Sequence, residues 1–255
     1  MVTVSQHAQI SPRAKLGNRV SVGAFTIIHD DVVVGDDSII ESHCILGHPT
    51  PLAQGKPLIV GADAHIRSHS IFYQGSVFGP GLRTGHRVTV REHFQAGKQL
   101  QIGSQCDFQG QTVVGDHVRT HSNVFVAPNT RIGNCVWLFP HVVITNDPHP
   151  PSDGFFAGAT IEDYAAVAAM ACLLPGVNIG ARSLVAARSL VTRDVPADMA
   201  VAGSPARVIG PAATIPLKDG SGPAYPWTRH FHRGYPDDLV AQWMEAEARS
   251  MAAGD

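Results

Sequence analysis

Fourteen histidines are spread along this 255-residue chain, and histidine is the side chain whose ordinary pKa, about 6.5, lets it take up a proton near neutral pH. Stepping by 18 residues places His69, His86, His121 and His141 on one face with Asn123, and Asn123 lies directly under His141. An imidazole so placed has the acidity a general base needs. A short polar run, Asn146-Asp147-Pro148-His149, follows His141; it reads either as a substrate-contacting loop or as an Asx turn before a proline. Arg91 and Glu92 are adjacent opposite charges, able to hold a polar ligand or to pair with each other.

What positions these residues is a six-residue period. Apolar marks recur at Ile10, Leu16, Val22, Ile28, Val34, Ile40 and Leu46. They restart at Val60 and run without a slip to Ile144, then recur from Ile161 to Val191; of these marks only Thr84 and Thr120 are not apolar. Gly follows the mark at positions such as 17, 23, 61, 79, 103 and 133, and a small or branched residue stands four places after it, as at Thr26, Cys44, Ser70, Cys106 and Val124. Six matches neither the 3.6 of a helix nor the 2 of a lone strand. It suits short strands joined by tight bends, with two side chains per hexad pointing inward and Gly where φ must be unusual. No histidine falls on an inward phase, so those of the repeat project outward, while Cys44 and Cys106 belong to the core.

The period breaks twice, over residues 47–59 and 146–160, in Pro- and Gly-rich stretches that leave the repeat as loops. Residues 211–235 read as a linker. Residues 236–252 read as one short helix with Leu239, Val240, Trp243 and Met244 on one side. The expected organisation is a repeat domain over 1–210 and a linker with a short helix over 211–255.

A formal charge of −2 gives no field that would favour nucleic acid or an anionic membrane. No stretch approaches the roughly 18 apolar residues of a membrane helix, the first residues carry no secretory pattern, and the four cysteines are isolated. The expectation is a cytoplasmic protein.

An aliphatic residue, Gly and four variable positions resemble the hexapeptide acyltransferase superfamily, over roughly residues 8–210. The resemblance implies a mainly β fold: a left-handed parallel β-helix of about nine triangular coils with two extruded loops and a short C-terminal α-helical tail, assembled as a homotrimer that the tail caps or braces. Three segments refine it. ITNDPHPP (144–151) is similar to a Thr-Asn-Asp-x-x-Pro segment of N-acetyltransferases acting on nucleotide-linked amino sugars. IRSHSIFYQGSVFGPGLRTGHRVTVREH (66–93) resembles motifs of the members acting on 3-amino-3,6-dideoxyhexoses. VTRDVPADMAVAGSPARVIG (191–210) resembles the acetyl-CoA end of the superfamily.

The implied chemistry is attack of a neutral amine on a thioester, with acetyl-CoA as co-substrate, a nucleotide-linked amino sugar as partner, and no metal. His141 is then the expected base and His86 its rival, unless the departing thiolate takes the proton. Asn146 and Asp147 would orient the amine, and Arg91, Glu92, Asn123, His121 and His149 would contact the sugar nucleotide. Ala168 and Ala186, 18 apart, would let the pantetheine arm approach the backbone, and Arg207, whose fork suits phosphate oxygens, would meet the CoA phosphates. Three other readings compete. A γ-carbonic-anhydrase-like zinc site would draw on His86, His117 and His121, although His117 falls on another face. A UDP-N-acetylglucosamine acyltransferase type would use acyl carrier protein, and a scaffold would have no reaction at all.

Overall fold

The computed structural model describes residues 1–154 and 156–252. Each hexad supplies a strand that is mostly two residues long. Strands so short have no stability alone, so their backbone groups must pair with the rungs above and below. Phe72 pairs with Val90, Val90 with Phe108, Phe108 with Val126 and Val126 with Ile144, always in parallel and always 18 residues on. Three strands per turn therefore build three walls. The first has 12 strands, from Thr3–Val4 to Met199–Gly203 and the antiparallel Ala206–Pro211; the second has 10, from Gln9–Ile10 to Leu190–Val191; the third has 9, from Lys15–Leu16 to Asn178–Ile179. The fold is mainly β, a parallel three-walled solenoid of about eleven turns. The excess over nine arises because Thr3–Val4 and Met199–Gly203 pair as rungs outside the run that begins at Ile10 and ends at Val191.

The interior follows the period. Every marked residue except Ile10, Leu16 and Ala96 is buried, and so are the small residues four places on, Thr26, Ser38, Cys44, Ser70, Cys106 and Thr112 among them. Phe72, Phe78, Phe94 and Phe108 pack in sequence inside the prism with ring centroids 5.2 to 5.3 Å apart. Each such side chain contributes roughly 1.5–3 kcal/mol on leaving water. Burial holds the Cys44 thiol at a pKa of about 11, consistent with a packing residue.

Gly plays a different part from the one expected. The positive φ of each bend falls two places after the glycine position, on residues such as His69, Asn123 and His141 (φ 61° to 63°). The repeat glycine is needed for closeness: a Cβ on Gly103 would stand 2.3 Å from the backbone carbon of His121 on the next rung, and one on Gly85 2.3 Å from the nitrogen of Ser104. Stacking distance, and not dihedral freedom, excludes a side chain there.

The walls meet at three edges: the first edge joins the first and second walls, the second edge the second and third, the third edge the third and first. Both extruded loops leave from the second edge, between Ile45–His48 and Ile59–Val60 and between Val143–Ile144 and Thr160–Ile161. Across them paired residues lie 26 apart (Ile40 and Ile66) or 29 apart (Ile144 and Leu173) where 18 is the rule. The coils themselves continue undisturbed.

The tail makes a second apolar cluster outside the prism. Trp227, Tyr235 and Trp243 pack with Cys135, Ala166, Leu184 and Ala200 on the outer side of the first wall and third edge. Helix α1 (Asp237–Ala252) contributes Trp243, whose indole N–H donates to the Tyr164 hydroxyl at 3.3 Å. Arg119 anchors the crossing segment: its guanidinium donates to the carbonyls of Arg233 (3.0 Å) and Gly234 (2.5 Å) and lies 3.9 Å from the Tyr235 ring centroid. The helix braces its own prism. No helix among the described residues is long and apolar enough to cross a membrane.

Candidate functional site

Because side chains leave the prism only at bends and on outward strand positions, the predicted site residues sort by edge. The first edge receives His86, His121, Asn123 and His141 together with Ala168 and Ala186. Register makes one column explicit. Thr120 pairs with Leu138, Leu138 with Val167, Val167 with Val185 and Val185 with Val201, so the next residues His121, Phe139, Ala168, Ala186 and Ala202 stand one above another. In the closing hairpin Arg207 pairs with Ala202, which sets Arg207, exposed, at the head of that column. At about 4.8 Å per rung, His121 and Ala202 are roughly 19 Å apart.

His141 is exposed, and its backbone N–H donates to the Ser122 carbonyl at 3.2 Å, beside Asn123 on the rung beneath. His86 lies three rungs lower, roughly 14 Å away. Its Nδ1 is 2.9 Å from the Ser68 hydroxyl and 3.9 Å from the Glu41 carboxylate. His141 and His86 cannot serve one reacting carbon. His69 lies further down, stacked on His43 at 4.8 Å.

His121 holds a position the sequence did not single out for its surroundings. Its ring stacks on Phe139 at 4.9 Å and lies 5.8 Å from Trp137. Desolvation by these neighbours lowers its pKa from the usual imidazole value, although its outer side stays exposed. It stands at the rim of a cavity of about 380 Å³ whose walls are Trp137, Phe139 and Ala166 from the prism and Tyr225, Trp227 and Phe231 from the tail. The one available signal was the lapse of the repeat glycine: this column reads Gly85, Gly103, then His121 and Phe139.

The second edge holds Arg91, Glu92, Asn146, Asp147 and His149. Arg91 and Glu92 make a two-pronged ion pair, Nε to Oε2 at 3.1 Å and the terminal nitrogen to Oε1 at 3.0 Å, with Glu92 buried and the guanidinium 5.5 Å from the Tyr73 ring centroid. They line a groove of about 440 Å³ with Gln109, Gln111, Asn129 and Asn146, flanked by Leu52 of the first loop and Phe156 of the second. Nearby, burial raises the pKa of Asp107, whose carboxylate accepts from the Gln109 amide at 2.8 Å. Asp147 is committed to its own loop, accepting from the Ser152 hydroxyl and from the backbone N–H groups of Ser152 and His149 at 3.0 Å each. The Ser152 hydroxyl first, and then these amides, lower its pKa. His149 is exposed beside it.

The two groups lie at opposite ends of one wall. His141 and Asn146 are five residues apart with the strand Val143–Ile144 between them, a separation of no more than roughly 16 Å at 3.3 Å per residue. Within one chain they do not meet. His117 is on the third edge, buried beside Tyr235, away from His86 and His121. Among the described residues no group of three His, Cys, Asp or Glu side chains is arranged to hold a metal ion.

Comparison with known proteins matches residues 6–48 to the bacterial transferase hexapeptide family (six repeats). A Saccharomyces cerevisiae protein named as an acetyltransferase, YJL218W, is 31% identical over 113 residues, which are 41% of this chain and 58% of that protein. The 2,3,4,5-tetrahydropyridine-2,6-dicarboxylate N-acetyltransferase of Staphylococcus aureus (strain JH9) is 39% identical over 83 residues, 32% of this chain and 34% of that protein. The chain thus spans between a third and about three fifths of the length of these relatives. Among solved structures, UDP-N-acetylglucosamine O-acyltransferase from Moraxella catarrhalis RH4 overlays 82% of this chain and 74% of its own with a TM-score of 0.56 at 18% identity, a likeness of fold. Residues 6–48 thus match the hexapeptide-repeat family, and the later hexads carry the same period on through the three parallel walls.

Proposed function

We propose that the protein is an acyl-CoA-dependent N-acyltransferase that moves an acyl group, acetyl in the simplest case, onto the amine of a nucleotide-linked amino sugar in the cytoplasm, working as a homotrimer. The observation that carries this reading is the division of polar residues between the two edges of one wall. A trimer that sets the first edge of one chain against the second edge of its neighbour joins His141 and the Ala168–Ala186–Arg207 column to the groove of Arg91, Glu92 and Asn146. The thioester then lies along the column with the CoA phosphates near Arg207. The amino sugar lies in the groove, its nucleotide held by the guanidinium and amides.

The neutral amine attacks the thioester carbon, forming the C–N bond. His141 takes the proton the nitrogen loses. The C–S bond breaks as the tetrahedral intermediate collapses, and the thiolate leaves as free CoA thiol once protonated. Asn146 orients the amine, and Asp147 can do so only by releasing Ser152. Both named relatives carry acetyltransferase names, which supports acetyl transfer, and that of the Staphylococcus aureus protein specifies nitrogen.

The test is incubation of the protein with acetyl-CoA, and in parallel with longer acyl-CoA thioesters, and a panel of nucleotide-linked amino sugars, following acylated product by mass. The expected result is turnover with at least one 3-amino-3,6-dideoxyhexose nucleotide. A monomer in solution, or no turnover with any amino sugar, overturns the reading.

A further inference from the structure

The cavity beneath the tail is not needed for an acetyl group. From its chemistry and position we infer that it receives the acyl part of the donor, and that this part is an apolar group larger than acetyl, a medium-length chain or a ring. The inference rests on the acyltransferase reading above and specifies its donor.

Three observations carry it. The first is the wall chemistry. Trp137, Phe139, Trp227 and Phe231 present rings to a space of about 380 Å³, and the polar handles of that wall are already used. The indole N–H of Trp137 donates to the Tyr235 hydroxyl at 2.9 Å, that of Trp227 to the Tyr164 carbonyl at 3.0 Å, and His230 Nε2 lies 2.9 Å from the Ala224 carbonyl. Against these rings a polar ligand such as a nucleobase would lose its water without a partner, the other polar groups of the lining being the Tyr225 hydroxyl and, at the mouth, His121 and Arg233, whereas an apolar one gains by burial. The second is shape. Trp227 and Ala166 are buried at the back while His121, His230 and Arg233 are exposed at the mouth. The space suits a small organic group and is too confined for a helix or a second copy of the chain. The third is position. The mouth opens beside His121 and Phe139, at the foot of the column that rises through Ala168 and Ala186 to Arg207. An arm descending that column delivers the carbon of its thioester to the first edge, one rung from His141, with its acyl tail directed under Phe231 and Tyr225.

The occupant is thus tied to the donor by the small-residue column and to apolar chemistry by the rings. The tail (Ala224 to Arg233) forms one side of the space, so the length of the acyl group is set by how that segment crosses the first wall.

Binding of octanoyl-CoA, benzoyl-CoA, acetyl-CoA and free CoA to the full chain should be measured by calorimetry. The expected result is affinity for octanoyl- or benzoyl-CoA at least about tenfold above that for acetyl-CoA. Ala224→Phe, which fills the space from the tail side, should bring that ratio close to one while the thermal transition is kept. Acetyl-CoA binding as tightly as the larger thioesters in the unaltered protein overturns the inference and leaves the acyltransferase reading standing. Absence of binding by every CoA species overturns both. A preference for larger thioesters that Ala224→Phe does not change places the acyl group elsewhere and overturns the assignment to this cavity.

Discussion

The first and second edges are built from the same hexads, on the same rungs, at the two ends of one wall, yet they present opposite chemistry. The first edge carries histidines, a column of small residues and a ring-lined space closed by the tail. The second carries a bidentate ion pair and a row of amides between two loops. The repeat decides where side chains can leave the prism, and it does so identically at every edge. What makes an edge a site is what is added to it: a folded-back tail at one, two insertions at the other. A solenoid lets this happen because each rung touches only its neighbours, so an insertion at one bend leaves the register of the rest intact.

The sharpest way to break the contrast is to remove the proposed base from the first edge. His141→Ala should lower kcat by about a thousandfold, roughly 4 kcal/mol of barrier, with little change in acceptor KM. His86→Ala, three rungs away, should change kcat by less than about threefold. Steady-state kinetics of the two variants decide it. Equal losses would mean that the roughly 14 Å between them is spanned by a second chain, and no loss in either would assign proton uptake to the thiolate.

A second cut separates tail from prism. Trp243 is buried among Trp227, Tyr235 and Tyr164, and Trp243→Ala should cost about 3 kcal/mol. The loss should release the tail and open the first-edge space while the second-edge groove is unaffected. Tryptophan fluorescence should then show an early transition ahead of the main melt by circular dichroism. A single coincident transition would make tail and prism one cooperative unit.

At the second edge, Arg91→Lys keeps the charge but loses the fork that meets Glu92 at two points. Acceptor KM should rise about tenfold, about 1.4 kcal/mol, with kcat nearly unchanged. If kcat falls and KM does not, the pair acts on the reacting centre and the division of labour between edges is wrong.

Much of this was legible in the chain itself. The marks from Ile10 to Val191 fix the walls, because a buried aliphatic every sixth residue has one stacked solution, and an 18-residue step brings His86, His121, Asn123 and His141 to one edge as expected. The insertions were visible where the clock stops. Two things were not. Tyr225, Trp227, Phe231 and Tyr235 dock on outward positions of the first wall, Trp137 and Ala166, and outward positions carry no period by which a partner could be read. The distance from His141 to Asn146 was hidden because neighbours in sequence looked like neighbours in space, whereas an intervening strand carries them to different edges. In sequence Asp147 fits both an amine-orienting group and an Asx turn, and its bonds to His149 and Ser152 follow the turn.

The smallest effect distinguishes the edges by the direction in which they titrate. Burial lowers the pKa of His117, with Lys98 and Arg119 acting in the same direction and Asp116 and Asp238 against it, and desolvation lowers that of His121. A depressed folded pKa means that the unfolded chain binds more protons, so stability is full above about 6.5 and falls as acidification proceeds toward the folded values. On the second wall, where its partner Gln109 lines the second-edge groove, Asp107 has its pKa raised by burial. Its folded form therefore binds the proton more readily than the unfolded chain, and acid favours it. Between about pH 7 and pH 5 the loss should be confined to the tail side, where His117 packs 6.2 Å from the Tyr235 ring. The drop in Tm is expected to be no more than about 4 °C, and His117→Gln should flatten it. The readouts are thermal melts across that range, with amide exchange to locate the loosening. Equal exchange at both edges, or a slope that His117→Gln leaves unchanged, would remove His117 as its source.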